Sequence, residues 1–305
     1  MATITAGQVK ELRVRTGAPM LDCKNVLVEV DGDMDKAIDA LREKGLAKAA
    51  KKAGRIAAEG LVRIKISPDG RKAGIIEVNS ETDFVAKNGE FIEFVDALSC
   101  LTVDTDTSGL DDFLAKDFDG TRTVKERLTD FIATIGENIN VRRFEHFNKS
   151  GAVYVGYLHG AGKIGVVVGL ETEASVEEAT PLGRDIAMQI ASMNPLFIDE
   201  SGVDPQYLEN EKEILVRQAL NEGKPAEIVE KMVMGRLKKE LKETCLLEQK
   251  FVKNGDLTVG QHLNDQAKAL GKSVKVVQMT RYEVGEGIEK REENFAEEVA
   301  KQMGN

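Results

Sequence analysis

Apolar residues recur at three- and four-residue intervals near the start of the chain and at every second residue further on, and these two periods predict helices and strands. The first 56 residues carry the helical period. Thr5 and Gln8 form a capping box with Ile4 and Val9 placed as its hydrophobic staple, and Gly17 follows the last turn. A second helix follows Pro19, with Met20, Cys23, Val26, Leu27 and Val30 on one face. A third starts at Asp33 with Ala37, Ile38 and Leu41 turned inward, and Gly45 is read as its stop. The run KGLAKAAKKAGR, Lys44 to Arg55, then reads as a basic helical linker.

From Leu61 the period becomes that of a strand. LVRIKIS, a turn at Pro68-Asp69-Gly70, and AGIIEVN form a β-hairpin. Helices are expected from Asn88 to Leu101 and from Thr123 to Ile135, the second opened by the box Thr123–Glu126 and closed by Gly136. The strand INVRRFEHF follows. The second half repeats this order: VYVGYLH and IGVVVGL as a hairpin, a helix from Thr180 to Met193 with Pro181 at its first position, a helix from Thr258 to Leu270, and the strand VKVVQMTRYE. Arg281-Tyr282-Glu283 at its end echoes Arg143-Phe144-Glu145.

Within the second copy, Asp204 to Leu247 is strongly helical and broken at Gly223-Lys224-Pro225, the pattern of an antiparallel helical hairpin. A short amphipathic helix carrying Phe295, Val299 and Met303 ends the chain. The fold expected is α+β. It comprises a three-helix module with its basic linker (1–56), core subdomain N (57–148), core subdomain C (149–200 and 248–284), the hairpin insertion (201–247) and a docking helix (285–305), with a duplicated ββααβ core.

Composition narrows the chemistry. The three cysteines, Cys23, Cys100 and Cys245, have no metal or redox spacing, and His146, His159 and His262 form no HExxH pair, which weighs against an enzyme. The net charge of -10 is a poor footprint for nucleic acid, so no direct nucleic-acid partner is expected. Residues 1–56 nevertheless hold eleven Lys/Arg against eight Asp/Glu, a locally basic end on an acidic body. No signal peptide or run of about 18 apolar residues is seen, so a cytoplasmic protein without a membrane partner is expected.

Several apparent motifs fail on context. Gly160 to Gly165 matches GxGxxG, but a strand follows it where a dinucleotide site needs a helix, so it reads as a hairpin turn. Gly45 to Lys51 has Ala50 where a P-loop needs glycine, and Gly255 to His262 lacks the phosphate lysine. Asp104, Asp106, Ser108 and Gly109 imitate a calcium loop whose twelfth position is Ala115. No cofactor is expected. What remains is ETDFVAKN, Glu81 to Asn88, between the first hairpin and the next helix. On spacing alone, Thr82 or Asp83 caps a turn there and Phe84 packs in the core.

ETDFVAKN is similar to the TDFVAKN signature of bacterial elongation factor Ts. The likeness extends in order to TGAPMLDCKNVL (16–27), KAAKKAGR (48–55), IGENINVRR (135–143), HGAGKIGVVV (159–168) and GEGIEK (285–290). Pro19 departs from the family's usual glycine and Asn25 from its usual lysine. The resemblance implies a guanine-nucleotide exchange factor that binds the GDP form of elongation factor Tu, dislodges Mg²⁺ and releases GDP, without covalent chemistry. It assigns Mg²⁺ displacement to Thr82, Asp83, Phe84 and Val85, with Phe84 as wedge and Asp83 disturbing the ion's polar network. It assigns partner contacts to Leu12, Met20 and Lys24 on the N-terminal module, to Ile135, Gly136 and Asn138 beside the wedge, and to His159. It also implies homodimerisation through the hairpin 201–247 and docking of the C-terminal helix. A rival class is an adaptor, since the N-terminal module resembles ubiquitin-associated (UBA) domains in pattern.

Overall fold

The computed structural model describes residues 4–107, 109–223 and 225–289. These divide into two compact units, one drawn from Met1–Arg63, Ile76–Glu145 and Glu283–Asn305, the other from Ile64–Ile75 and His146–Tyr282. The partition differs from the boundaries expected above in taking the tip of the first hairpin into the second unit.

In the first unit the chain opens with α1 (Ala6–Thr16), α2 (Met20–Glu29) and α3 (Met34–Lys52). Both arms of the Thr5–Gln8 capping box are made, and Gly17 closes α1 in the left-handed conformation at φ 70°. Val9, Leu12, Cys23, Val26, Leu27 and Ala37 form the shared core of the three helices. The expected stop at Gly45 is wrong. α3 runs through Gly45, which is buried, and a Cβ there would sit 3.5 Å from the Ala133 methyl. The glycine therefore marks no turn, and the 3.5 Å to Ala133 is ordinary van der Waals contact.

Strands β1 (Glu59–Ile66) and β2 (Ala73–Ser80) follow, then α4 (Asp83–Ala86), α5 (Gly89–Val103), α6 (Leu110–Ala115), α7 (Val124–Ile135) and β3 (Asn140–Phe147). The sheet order is β1-β2-β3, so β2 is central, and all eight of its residues are buried. Thr123 and Glu126 cap α7 reciprocally, and Gly136 ends it at φ 91°. The helices cover the sheet through an aromatic cluster in which the Phe94 and Phe131 rings stack 4.7 Å apart, with Phe91, Leu98, Ile76, Val78 and Val141 around them. α4 and α6 lie outside the helices expected from the sequence, each being too short for a helical period to repeat.

The second unit holds β4 (Ala152–His159), β5 (Ile164–Thr172), α8 (Val176–Met193), α9 (Pro205–Asn221), α10 (Ala226–Thr244), β6 (Lys250–Phe251), β7 (Asn254–Thr258), α11 (Val259–Leu270) and β8 (Val274–Glu283). β4 and β5 pair antiparallel with Val155 opposite Val168, and β8 joins at β5, giving the order β4-β5-β8. That order matches the first sheet, as the repeat in the sequence predicts. Helix α8 begins four residues earlier than expected. Ser175 and Glu178 form its capping box, and Pro181 lies inside the helix instead of at its first position. Gly183 on α8 faces β4 so closely that a Cβ would lie 2.5 Å from Val155.

Helices α9 and α10 form the expected hairpin. Ala219, Val229 and Val233 are buried between them, and Arg236 pairs with Glu222 at 2.7 Å. Tyr207 donates to Glu240 at 3.2 Å near the root, in surroundings whose burial pushes the Tyr207 phenol up to about 12. The expected C-terminal helix falls on residues that, from 290 onward, lie outside the described ones. Among the described residues no helix is long and apolar enough to cross a membrane.

Candidate functional site

Gly160, Ala161 and Gly162 all take positive φ and close the β4–β5 loop, so the GxGxxG match is the hairpin turn expected. Among the described residues no group of three His, Cys, Asp or Glu could hold a metal. Glu81–Asn88 leaves the end of β2.

Thr82 is the N-cap of α4, its hydroxyl accepting from the Val85 N–H at 3.4 Å. Ser80 Oγ donates to the Thr82 carbonyl at 3.0 Å, and the Lys87 ammonium reaches Asp83 at 2.6 Å. Asn88 then caps α5 by accepting from Glu90 N–H at 2.8 Å. Ala86 is buried and Val85 packs partly against the same aromatic core. Phe84 does the opposite: it is 82% exposed. The expectation from spacing, that Phe84 packs in the core, is corrected. The single turn of α4 puts residues 85 and 86 inward and turns 84 out.

Behind this turn lies the segment after α7. The Glu137 carboxylate accepts from the Thr82 N–H at 3.0 Å and from the Thr82 hydroxyl at 2.6 Å. Reciprocally, the Glu81 carboxylate accepts from the Asn138 N–H at 2.5 Å. Asn138 also donates through its side chain to the Arg55 carbonyl at 2.6 Å, and Arg55 Nη1 lies 3.4 Å from Glu81. Burial, together with nearby Arg55 and Lys48, lowers the pKa of Lys52, while Glu81 and Glu137 oppose the shift. The end of α3 thus brings positive charge to a pair of carboxylates.

Below it, Glu77 on β2 is fully buried and accepts from Arg142 at 3.1 Å, Arg143 at 2.6 Å, Asn79 at 3.1 Å and the Gly285 N–H at 2.8 Å. Gly285 takes φ 73°, and a Cβ there would lie 2.2 Å from the Ala58 carbonyl oxygen. The carboxylate therefore fastens the chain leaving β8 to the strand that leads into the Phe84 turn.

The remaining sequence-derived residues fall into two groups. Met20 and Lys24 on α2, Gly136 after α7 and His159 at the end of β4 are exposed, with Ile135 half-buried. The Tyr157 hydroxyl lies 3.0 Å from His159 Nδ1. Leu12 is fully buried in the core of the N-terminal module and Asn138 is buried with its side chain engaged, so neither presents a contact surface. Glu137 and Glu77 went unnoticed in the sequence. Their partners lie 55 and about 65 residues away, a separation at which no local pattern survives.

The family model for elongation factor Ts matches residues 81–286, a span that opens on the Phe84 turn. The chain belongs to the elongation factor Ts family. It is 57% identical over 303 residues to elongation factor Ts of Clostridioides difficile strain 630, covering 99% of this chain and all of that protein. Elongation factor Ts of Clostridium perfringens strain 13 is 53% identical over 301 residues, and that of Clostridium botulinum strain Eklund 17B is 52% identical over 301, each covering 99% of both chains. Membership of this family makes the chain a translation elongation factor, and the α+β fold agrees with it.

Proposed function

We propose that this chain promotes nucleotide exchange on elongation factor Tu: it binds the GDP form, dislodges Mg²⁺ and lets GDP leave so that GTP can bind. The observation that carries this reading is Phe84, a large apolar side chain 82% exposed on a turn whose neighbours are fixed. Nothing in the fold requires an exposed phenylalanine there. Burying one in a partner's pocket is worth about 1.5–3 kcal/mol, enough to change an exchange barrier about tenfold to a hundredfold.

The mechanism is negative linkage. The factor and the nucleotide with its Mg²⁺ each weaken the other's binding by the same factor, so no covalent step is needed. Phe84 is the wedge, and Asp83 and Thr82 bring polar groups to the ion's water shell. Mg²⁺ is an effective target because it bridges and neutralises phosphate oxygens in such GTPases. Exposed Met20 and Lys24 on α2, Ile135 and Gly136 beside the turn, and His159 extend the contact surface. Leu12 and Asn138 act by holding that surface in shape. The work is done in the cytoplasm on a protein partner, with no direct nucleic-acid contact. The α9–α10 hairpin, with Ile214, Leu220, Ile228 and Met234 exposed, is the surface through which two copies would associate.

The test is release of fluorescent GDP from purified elongation factor Tu. Phe84→Ala is expected to slow stimulated release by at least about tenfold while leaving the melting temperature unchanged. Release at the wild-type rate would sink the wedge.

A further inference from the structure

We propose that Glu137 is the positioning residue for the Phe84 turn, a role that rests on the exchange reading above. Helix α4 spans four residues, Asp83–Ala86. A single turn has no stability of its own, because nucleation fixes several dihedral angles for one hydrogen bond. Its orientation must come from outside. Val85 and Ala86 hold its inner side through the core. At the N-terminal end the holder is Glu137, reaching across 55 residues of sequence.

The geometry is specific to orientation. One Glu137 oxygen takes the Thr82 N–H at 3.0 Å and the other takes the Thr82 hydroxyl proton at 2.6 Å. With its proton committed to Glu137, the hydroxyl turns a lone pair to the Val85 N–H at 3.4 Å. Thr82 is thus a donor to Glu137 and the cap of the turn that carries Phe84. Charge-assisted bonds of this kind are about twice as strong as neutral ones.

Glu137 is itself held on both sides. Gly136 precedes it in the left-handed conformation that ends α7, and Asn138 follows it, tied to Glu81 and to the Arg55 carbonyl. The segment leaving β2 and the segment leaving α7 therefore exchange carboxylates, Glu81 to Asn138 and Glu137 to Thr82. The Glu81 half joins backbone to the interior. The Glu137 half joins it to the wedge. Removing the second leaves the first in place, so the turn should swing while the domain stays folded.

The experiment compares Glu137→Ala, Glu137→Gln, Phe84→Ala and the Phe84→Ala/Glu137→Ala double variant in the full chain. Fluorescent-GDP release from elongation factor Tu is measured against factor concentration. Glu137→Ala is expected to lower the saturating release rate about tenfold and to move the half-saturating concentration less than about twofold, since the other contact surfaces are intact. Glu137→Gln keeps a carbonyl acceptor and a polar group for Thr82, and falls between wild type and alanine. In the Phe84→Ala background, Glu137→Ala adds no further loss. Amide hydrogen exchange supplies the readout that a purely structural role would not move: Val85, Ala86 and Lys87 lose protection in Glu137→Ala while α7 and β2 keep theirs.

The proposal is overturned if Glu137→Ala retains the wild-type saturating rate while Phe84→Ala loses it. It is equally overturned if protection is lost evenly across α7, β2 and the turn, which would make Glu137 a fold residue only. If Phe84→Ala itself exchanges at the wild-type rate, the wedge reading fails instead, and the exchange data on the turn still report whether Glu137 holds it.

Discussion

A carboxylate taken wholly out of water is costly unless each of its oxygens is met, and in Glu77 they are met by two guanidinium groups, a side-chain amide and a backbone N–H. Arg142 and Arg143 keep about a quarter to a third of their side-chain surface exposed, so the cluster is a buried anion with half-buried cations. Its removal takes away the buried carboxylate that both arginines share, leaving them their bonds to Glu286 and Glu283, and frees the Gly285 N–H. Glu77→Ala is therefore expected to destabilise the first unit by about 3 kcal/mol or more, read as a lower urea midpoint with an unchanged slope. An unchanged midpoint would show that the arginines are satisfied by water and that the cluster is not a fastening. Local pattern reveals this only in part. AGIIEVN is legible as a strand from its hydrophobic period, but nothing local shows that its polar Glu77 and Asn79 are buried. They face inward because β2 is the central strand and their partners arrive from β1 for Asn79, and from β3 and beyond β8 for Glu77. Phe84 erred the other way, since a phenylalanine between capping residues is ordinarily core.

Glycine separates what is legible in an element from what is not. Gly17, Gly136 and Gly271 each end a helix in the left-handed conformation, as local pattern predicts. Gly45 has the same sequence surroundings and does not, because α3 packs along α7 and the helix is continued by that contact. Likewise Pro181 looked like a helix start, yet the Ser175–Glu178 box two turns earlier in effect competes better and carries the helix through it. Gly45 thus has helical backbone and ordinary van der Waals room beside Ala133, at 3.5 Å from a built Cβ. Gly45→Ala should stabilise the protein by about 0.5–1 kcal/mol, by reducing the entropy of the unfolded chain and raising helix propensity. Chemical denaturation checks this. A loss of stability would mean that the α3–α7 contact does not have room for the methyl.

At the scale of the whole chain, the duplicated order of hairpin, helices and strand was legible because it depends on hydrophobic period alone, and both sheets keep it. The division of labour was less so. The N-terminal module carries more basic than acidic residues on a chain of net charge -10, and that contrast is compatible with either a gripping surface for the exchange partner or an adaptor's separate binding site. The fold adds a physical constraint: α3 belongs to the same compact unit as the Phe84 turn, and Arg55 at its end is bonded to Asn138. Deletion of residues 1–54 leaves Arg55 and the Glu137 clamp but uncovers the face of α7 around Ala133. If the chain is an exchange factor whose wedge lies elsewhere, the truncated protein should still release GDP from elongation factor Tu at high concentration. Its saturating rate should stay within about threefold of the full chain, with the half-saturating concentration raised by about tenfold or more, the loss of roughly 1.4 kcal/mol or more of uniform binding. Melting of the truncated protein must be followed alongside, because uncovering α7 lowers stability independently of binding. A truncated protein that remains folded yet releases no GDP at any concentration would place the activity in the module and leave the core as its scaffold.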